Sequence, residues 1–191
     1  MNRPDDLISM LKEDHRELRQ LFVEVEFLSG GESLRRTLTD QLIVEMVRHA
    51  VAEEAYLYPA SLEYLPDGAW IVEQAIIEHE WLEGILRQLE APDLPDDHFS
   101  YLLARLTPDT RRHMDDEEER IFPLLSEYVS REQLVVLGEL ARKAKERAPS
   151  RLDAGSQNRL TTLLETGAGL VGRVREHLCG RGKAYPELPM R

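Results

Sequence analysis

Cysteine is nearly absent from these 191 residues. Cys179 is the single one, so the chain closes no disulfide within itself and suits a reducing compartment. Long apolar runs are missing as well: the opening stretch MNRPDDLISMLKED has none of signal-peptide length, and no run approaches a membrane span. Positive charge is in deficit, with 24 lysines and arginines against 36 acids and a formal net charge of −12. Such a chain gains nothing by displacing counterions from a nucleic acid, which argues against that class of partner. No stretch alternates polar and apolar residues over a useful length, so no sheet is expected. What remains is a cytoplasmic helical protein of ordinary domain size, with neither nucleic acid nor membrane as partner.

Apolar residues recur with the 3.6-residue period of helices almost throughout. The first helix begins near Pro4, Asp5 and Asp6, carries Leu7, Ile8, Leu11, Leu18, Leu21, Phe22 and Val25 on one stripe, and ends at SGG, 29–31. The second runs from about Ser33 to Pro59 and bends onward to Tyr64. A third covers 69–90, and APDLPDD at 91–97 separates it from a fourth reaching Tyr128. Pro108, inside the fourth, predicts a kink or break. Ser130 and Gln133 form a capping box that opens a helix through Arg147, and another helical pattern follows from Asn158 to Leu178.

The first two helices repeat in the next two. His15, His49, Glu53, Glu54 and Pro59 recur 64 residues later as His79, His113, Glu117, Glu118 and Pro123. Five matches at one offset indicate internal duplication. Two helical hairpins in tandem predict an all-α, up-down-up-down four-helix bundle over 1–128, with a helical extension over 129–191.

A plain bundle accounts for every leucine, but not for histidine and glutamate repeated on apolar faces, where unpaired polar groups are costly. His49 and Glu53 lie four residues apart and share a helix face, as do His113 and Glu117. His15 sits among Leu11, Leu18 and Phe22, and His79 lies one turn from Ala75 and Glu83. A bundle therefore brings four imidazoles and two carboxylates to one level, too many for one zinc and suited to two ions with open positions. The mixed donors suit iron or, less well, manganese. Glu53 and Glu117 are candidate bridges, with an oxo or hydroxo group as a further one. Glu45 and Asp109, each four residues before a histidine, are candidate acceptors for the imidazoles' outer N–H groups. Tyr56 could line the pocket and Glu83 could complete a coordination sphere. In the run Asp115–Glu119 only Glu117 has ligand spacing, and the others read as a solvated face. His98 and His177 read as outside the site.

The order His15, His49-xxx-Glu53, His79, His113-xxx-Glu117, trailed by EE…YP and EE…FP, resembles the hemerythrin-like HHE cation-binding domain over about residues 1–128. The resemblance implies a non-heme di-iron centre, with His15 and His49 on one iron and His79 and His113 on the other. Oxygen-carrying hemerythrins have a fifth histidine one turn from the third-helix ligand, where this chain has Ala75 and Glu83. That departure argues against reversible oxygen carriage. It favours a protein of oxidative stress that binds or turns over a small oxygen or nitrogen species, with catalase-like peroxide disproportionation as the leading reaction. The alternative is a non-catalytic oxygen, nitric-oxide or iron sensor.

Overall fold

The computed structural model describes residues 6–27, 32–91 and 94–147. Helix α1 (Leu7–Phe27) starts where Asp6 Oδ1 accepts the Ser9 N–H at 2.8 Å, satisfying one of the free donors of the first turn. Helix α2 (Glu32–Ala52) passes through a wider π-turn (Glu53–Leu57) into α3 (Tyr58–Tyr64). Leu65 is extended and ends that path. Helix α4 (Gly68–Leu89) returns, and Arg36 of α2 caps its far end by donating to the carbonyls of Leu89, Glu90 and Ala91. The second half copies the first: α5 (Asp96–Asp116), a π-turn (Glu117–Ile121) and α6 (Phe122–Tyr128), then an extended Val129.

The described residues contain no strand, as expected, and the duplicated hairpins form the bundle. The break allowed at Pro108 does not occur; α5 runs through it. Pro108 faces solvent, and so does Ala104, whose carbonyl loses the helical N–H partner and is left to water.

The capping box forms in both directions, Ser130 N–H to Gln133 Oε1 at 3.2 Å and Gln133 N–H to Ser130 Oγ at 3.3 Å. It opens α7 (Arg131–Arg147), which docks on α1 and α2. Gly138 allows that approach: a Cβ there would stand 2.7 Å from backbone atoms of Asp6 and Leu7. The helix expected over 158–178, with His177 and Cys179, lies outside the described residues.

Buried apolar side chains form two clusters. One gathers Leu7, Leu11, Leu57, Val72, Phe122 and Leu134; the other gathers Phe22, Leu42, Ile43, Leu89, Phe99 and Leu106. Between them lies a polar layer, where the two π-turns begin.

Candidate metal centre

Each π-turn starts at a glutamate of the repeat. The Glu53 carbonyl accepts from Tyr58 N–H and the Glu117 carbonyl from Phe122 N–H, five residues on rather than four. Pro59 and Pro123 explain the change. Proline has no N–H, and its ring crowds the carbonyl four residues back, so the turn before it opens. The wider turn sets the direction in which each glutamate enters the bundle.

The six predicted side chains meet in that layer, all of them at most 8% exposed. Glu53 spans it: Oε1 lies 2.7 Å from His49 Nε2 and 3.9 Å from His15 Nε2, while Oε2 lies 3.2 Å from His79 Nε2 and 4.0 Å from His113 Nε2. Glu117 faces both halves too, at 3.3 Å from His15 Nε2 and 3.8 Å from His113 Nε2. Despite these short distances, none of the four carboxylate oxygens has a hydrogen-bond partner of proper direction.

The outer ring nitrogens explain why. Glu118 stands 2.8 Å from His15 Nδ1, Asp14 3.4 Å from His49 Nδ1, Glu54 3.0 Å from His79 Nδ1 and Glu78 2.9 Å from His113 Nδ1. A carboxylate accepts, so each Nδ1 carries the proton and each neutral ring turns its Nε2 lone pair inward. The Nε2 atoms stand 3.1 Å apart between His15 and His49, and 3.3 Å apart between His79 and His113. Positive charge has to lie among them, as protons or as cations.

Without a cation the layer holds protons. Burial alone would lower the His49 pKa, but the Glu53 charge and the bond to Asp14 outweigh it and raise it to about 9. His79, against the same opposition from burial, is raised to about 10 by Glu53 and Glu54. His113 reaches about 9 through Glu117, Glu53 and Glu78, and His15 is raised by Glu117 and Glu53. Burial would also raise Glu53, yet the surrounding imidazoles hold it well below the usual carboxylate range. Glu117 is raised by burial and by the Glu53 charge.

Two overlapping donor groups result. Ligand atoms of His15, His49, Glu53 and Glu117 lie within 4.8 Å of one another, and so do those of Glu53, His79 and His113. Orphaned oxygens opposite inward lone pairs fit metal ligation, and Glu53 is common to both groups. The family model of the hemerythrin HHE cation-binding domain matches residues 6–125. The chain belongs to this family. It is 25% identical to a hemerythrin-like protein of Schizosaccharomyces pombe over 91% of this chain and 84% of that protein. The crystal structure of a hemerythrin HHE cation-binding domain-containing protein of Mycobacterium kansasii shares the fold. Its TM-score is 0.68 at 21% identity, over 83% of this chain and 98% of that one.

The HHE core is held by partners that spacing along one helix does not reveal. Glu45 pairs with Arg48 at 2.9 Å, and Asp109 accepts from Trp81 Nε1 at 2.9 Å, so neither orients an imidazole. The acids that do meet the imidazoles are Asp14, Glu54, Glu78 and Glu118, each reaching across to a histidine on another helix. The repeat carried a signal for them, because Asp14 and Glu78, like Glu54 and Glu118, are 64 residues apart. Glu118 is therefore no solvated bystander; it also accepts from Arg19 at 2.7 Å.

Tyr56 packs half-buried against the first apolar cluster and is not among the lining residues of the cavities that reach the histidines. Tyr58 reaches the layer instead, its hydroxyl 2.8 Å from His79 Nε2. Its counterpart in the repeat is Phe122, stacked on His15 with ring centroids 5.6 Å apart. Glu83 lines a cavity beside the layer but is bound to Arg87. Buried Ala75, one of the two positions one turn from His79, lines a cleft of about 210 Å³ that reaches His113 and Glu117. His98 is exposed and stacks on Tyr101.

Removing an outer carboxylate is expected to weaken metal binding without removing a donor. Glu118→Ala leaves His15 Nδ1–H without its acceptor, and affinity falls about 10–100-fold. Chelator competition measures this, and an unchanged affinity would show that Glu118 does not orient His15.

Proposed function

We propose that this chain is a non-heme di-iron protein that binds or turns over a small oxygen or nitrogen species, with peroxide disproportionation as its leading reaction. In this reading His15 and His49 hold one ion, His79 and His113 hold the other, and Glu53 and Glu117 lie between them. The observation that carries it is the inner face of the layer, where buried carboxylate oxygens without hydrogen bonds oppose imidazole lone pairs. Iron suits such mixed nitrogen and oxygen donors.

A bound iron pair supplies reversible two-electron exchange. The chain's own residues do the rest. Four outer carboxylates hold a proton on each Nδ1 and fix the ring planes. Tyr58 offers a hydroxyl proton at the inner face of the His79 half. Burial, and then the charges of Glu53 and Glu117, push its pKa well above the phenol range, so it keeps that proton. Phe122 offers none, so proton donation is one-sided. Apolar clusters on both sides of the layer exclude bulk water.

The sensor reading has one observation in its favour. Lys145 of α7 meets Asp14 at 2.5 Å, and Asp14 faces His49, which ties the extra helix to the layer.

Metal analysis and peroxide assay of protein expressed with iron test both readings. Two irons per chain with oxygen release from peroxide support the enzyme. Bound iron whose spectrum responds reversibly to oxygen or nitric oxide, with no oxygen release, supports the sensor. A chain that takes up neither iron nor manganese contradicts both.

A further inference from the structure

Buried hydroxyls in this bundle nearly all rest in the same way. Thr39, Ser61 and Thr107 each donate to the carbonyl four residues back, at 2.9, 2.9 and 3.0 Å. Thr110 does not. It is 3% exposed on α5, one turn before His113, and its Oγ1 has no partner among the described residues. Leaving a buried hydroxyl unpaired costs free energy, so its position calls for a ligand.

Thr110 borders a cavity of about 60 Å³ that reaches His49, Glu53, His79 and His113. Leu18, Met46, Leu82, Leu86 and Met114 add carbon and sulfur to its lining. In the repeat Met46 is the counterpart of Thr110, so the free hydroxyl belongs to one half only.

Resting on the metal-site reading above, we infer that this cavity holds the small ligand and that the Thr110 hydroxyl donates a hydrogen bond to it. The volume is several times the roughly 10–15 Å³ that one water needs. It admits a molecule of two or three heavy atoms and turns away larger substrates. Apolar walls disfavour an isolated charge. The ligand class is therefore a small neutral molecule with an acceptor atom, of the kind represented by nitric oxide, dioxygen or hydrogen peroxide. Thr110 acts on the ligand and supplies no metal donor.

Thr110→Val keeps the shape and removes the hydroxyl, while Thr110→Ser restores it. The probe is nitric oxide on the reduced, iron-loaded chain, read by its dissociation rate and N–O stretching frequency. The valine variant is expected to bind iron as the parent does, to release nitric oxide roughly tenfold faster, the worth of one hydrogen bond, and to shift the stretch; serine reverses both changes. Valine indistinguishable from the parent in rate and frequency overturns the role of Thr110 and leaves the di-iron reading standing. A parent chain that binds no iron overturns that reading and this inference with it, and one that binds iron without nitric oxide overturns this inference alone. Xenon-pressurised crystals of the metal-free chain supply an arm that needs no iron. A xenon atom among Leu18, Leu82 and Leu86 supports the cavity, and its absence there overturns it.

Discussion

A chain carrying Glu53→Ala is expected to lose more metal than one carrying Glu117→Ala, and to lose it first beside His79 and His113. The difference follows from the overlap of the donor groups. Glu53 belongs to both, with one oxygen toward His15 and His49 and the other toward His79 and His113. Glu117 belongs to the first group only, so the trio of Glu53, His79 and His113 survives its loss. Losing a shared donor should exceed the roughly 10–100-fold penalty typical of outer partners. Removing the charge also strands raised imidazoles in a buried layer, so Glu53→Gln is the control that keeps the shape. Metal content per chain decides the matter. Two ions retained by the Glu53→Ala chain would show that Glu53 is not common to both positions.

The metal-free and metal-loaded forms should answer differently to pH. In the metal-free form His49, His79 and His113 have pKa values raised to about 9, 10 and 9. A histidine raised in the folded state favours folding fully below its unfolded value of about 6.5 and loses that contribution as pH passes the folded value. Glu53, held low, adds no slope in this window. The metal-free chain should therefore lose stability between about pH 6.5 and 10. Cations displace those same protons, so metal affinity weakens toward acid. At a free metal concentration 1,000 times the dissociation constant, binding stabilises by about 4.1 kcal/mol. The gap between loaded and metal-free thermal midpoints should thus widen toward alkaline pH. Thermal unfolding across the window, with and without metal, provides the check. A metal-free chain that grows more stable toward pH 10 would contradict the charge assignment.

Much of this was legible in the sequence because the duplication wrote it twice. His49 and Glu53 share a face by helical spacing alone, and His113 and Glu117 repeat it, so the layer could be drawn before any coordinate. The outer carboxylates could not be drawn that way. Asp14 serves His49 and Glu54 serves His79, partners on other helices, and only packing brings them together. Pro59 and Pro123 announced a disturbance, but proline chemistry allows a kink, a break or a wider turn. The structure takes the wider turn at both prolines, and that turn aims each glutamate into the bundle. Pro108 shows the opposite case, where a helix breaker is absorbed because it faces water. Tyr58 was missed because Phe122 breaks the repeat there. Thr110 likewise pairs with Met46, so the repeat concealed the asymmetry on which ligand chemistry depends.

The proposed chemistry requires two cations on either side of one carboxylate, and anomalous diffraction from crystals of the iron-loaded chain tests that most directly. The expected map holds two iron peaks about 3.5–4 Å apart, the spacing of two-metal sites, one beside His15 and His49, the other beside His79 and His113, with Glu53 between them. A single peak, or peaks outside this layer, would contradict the account.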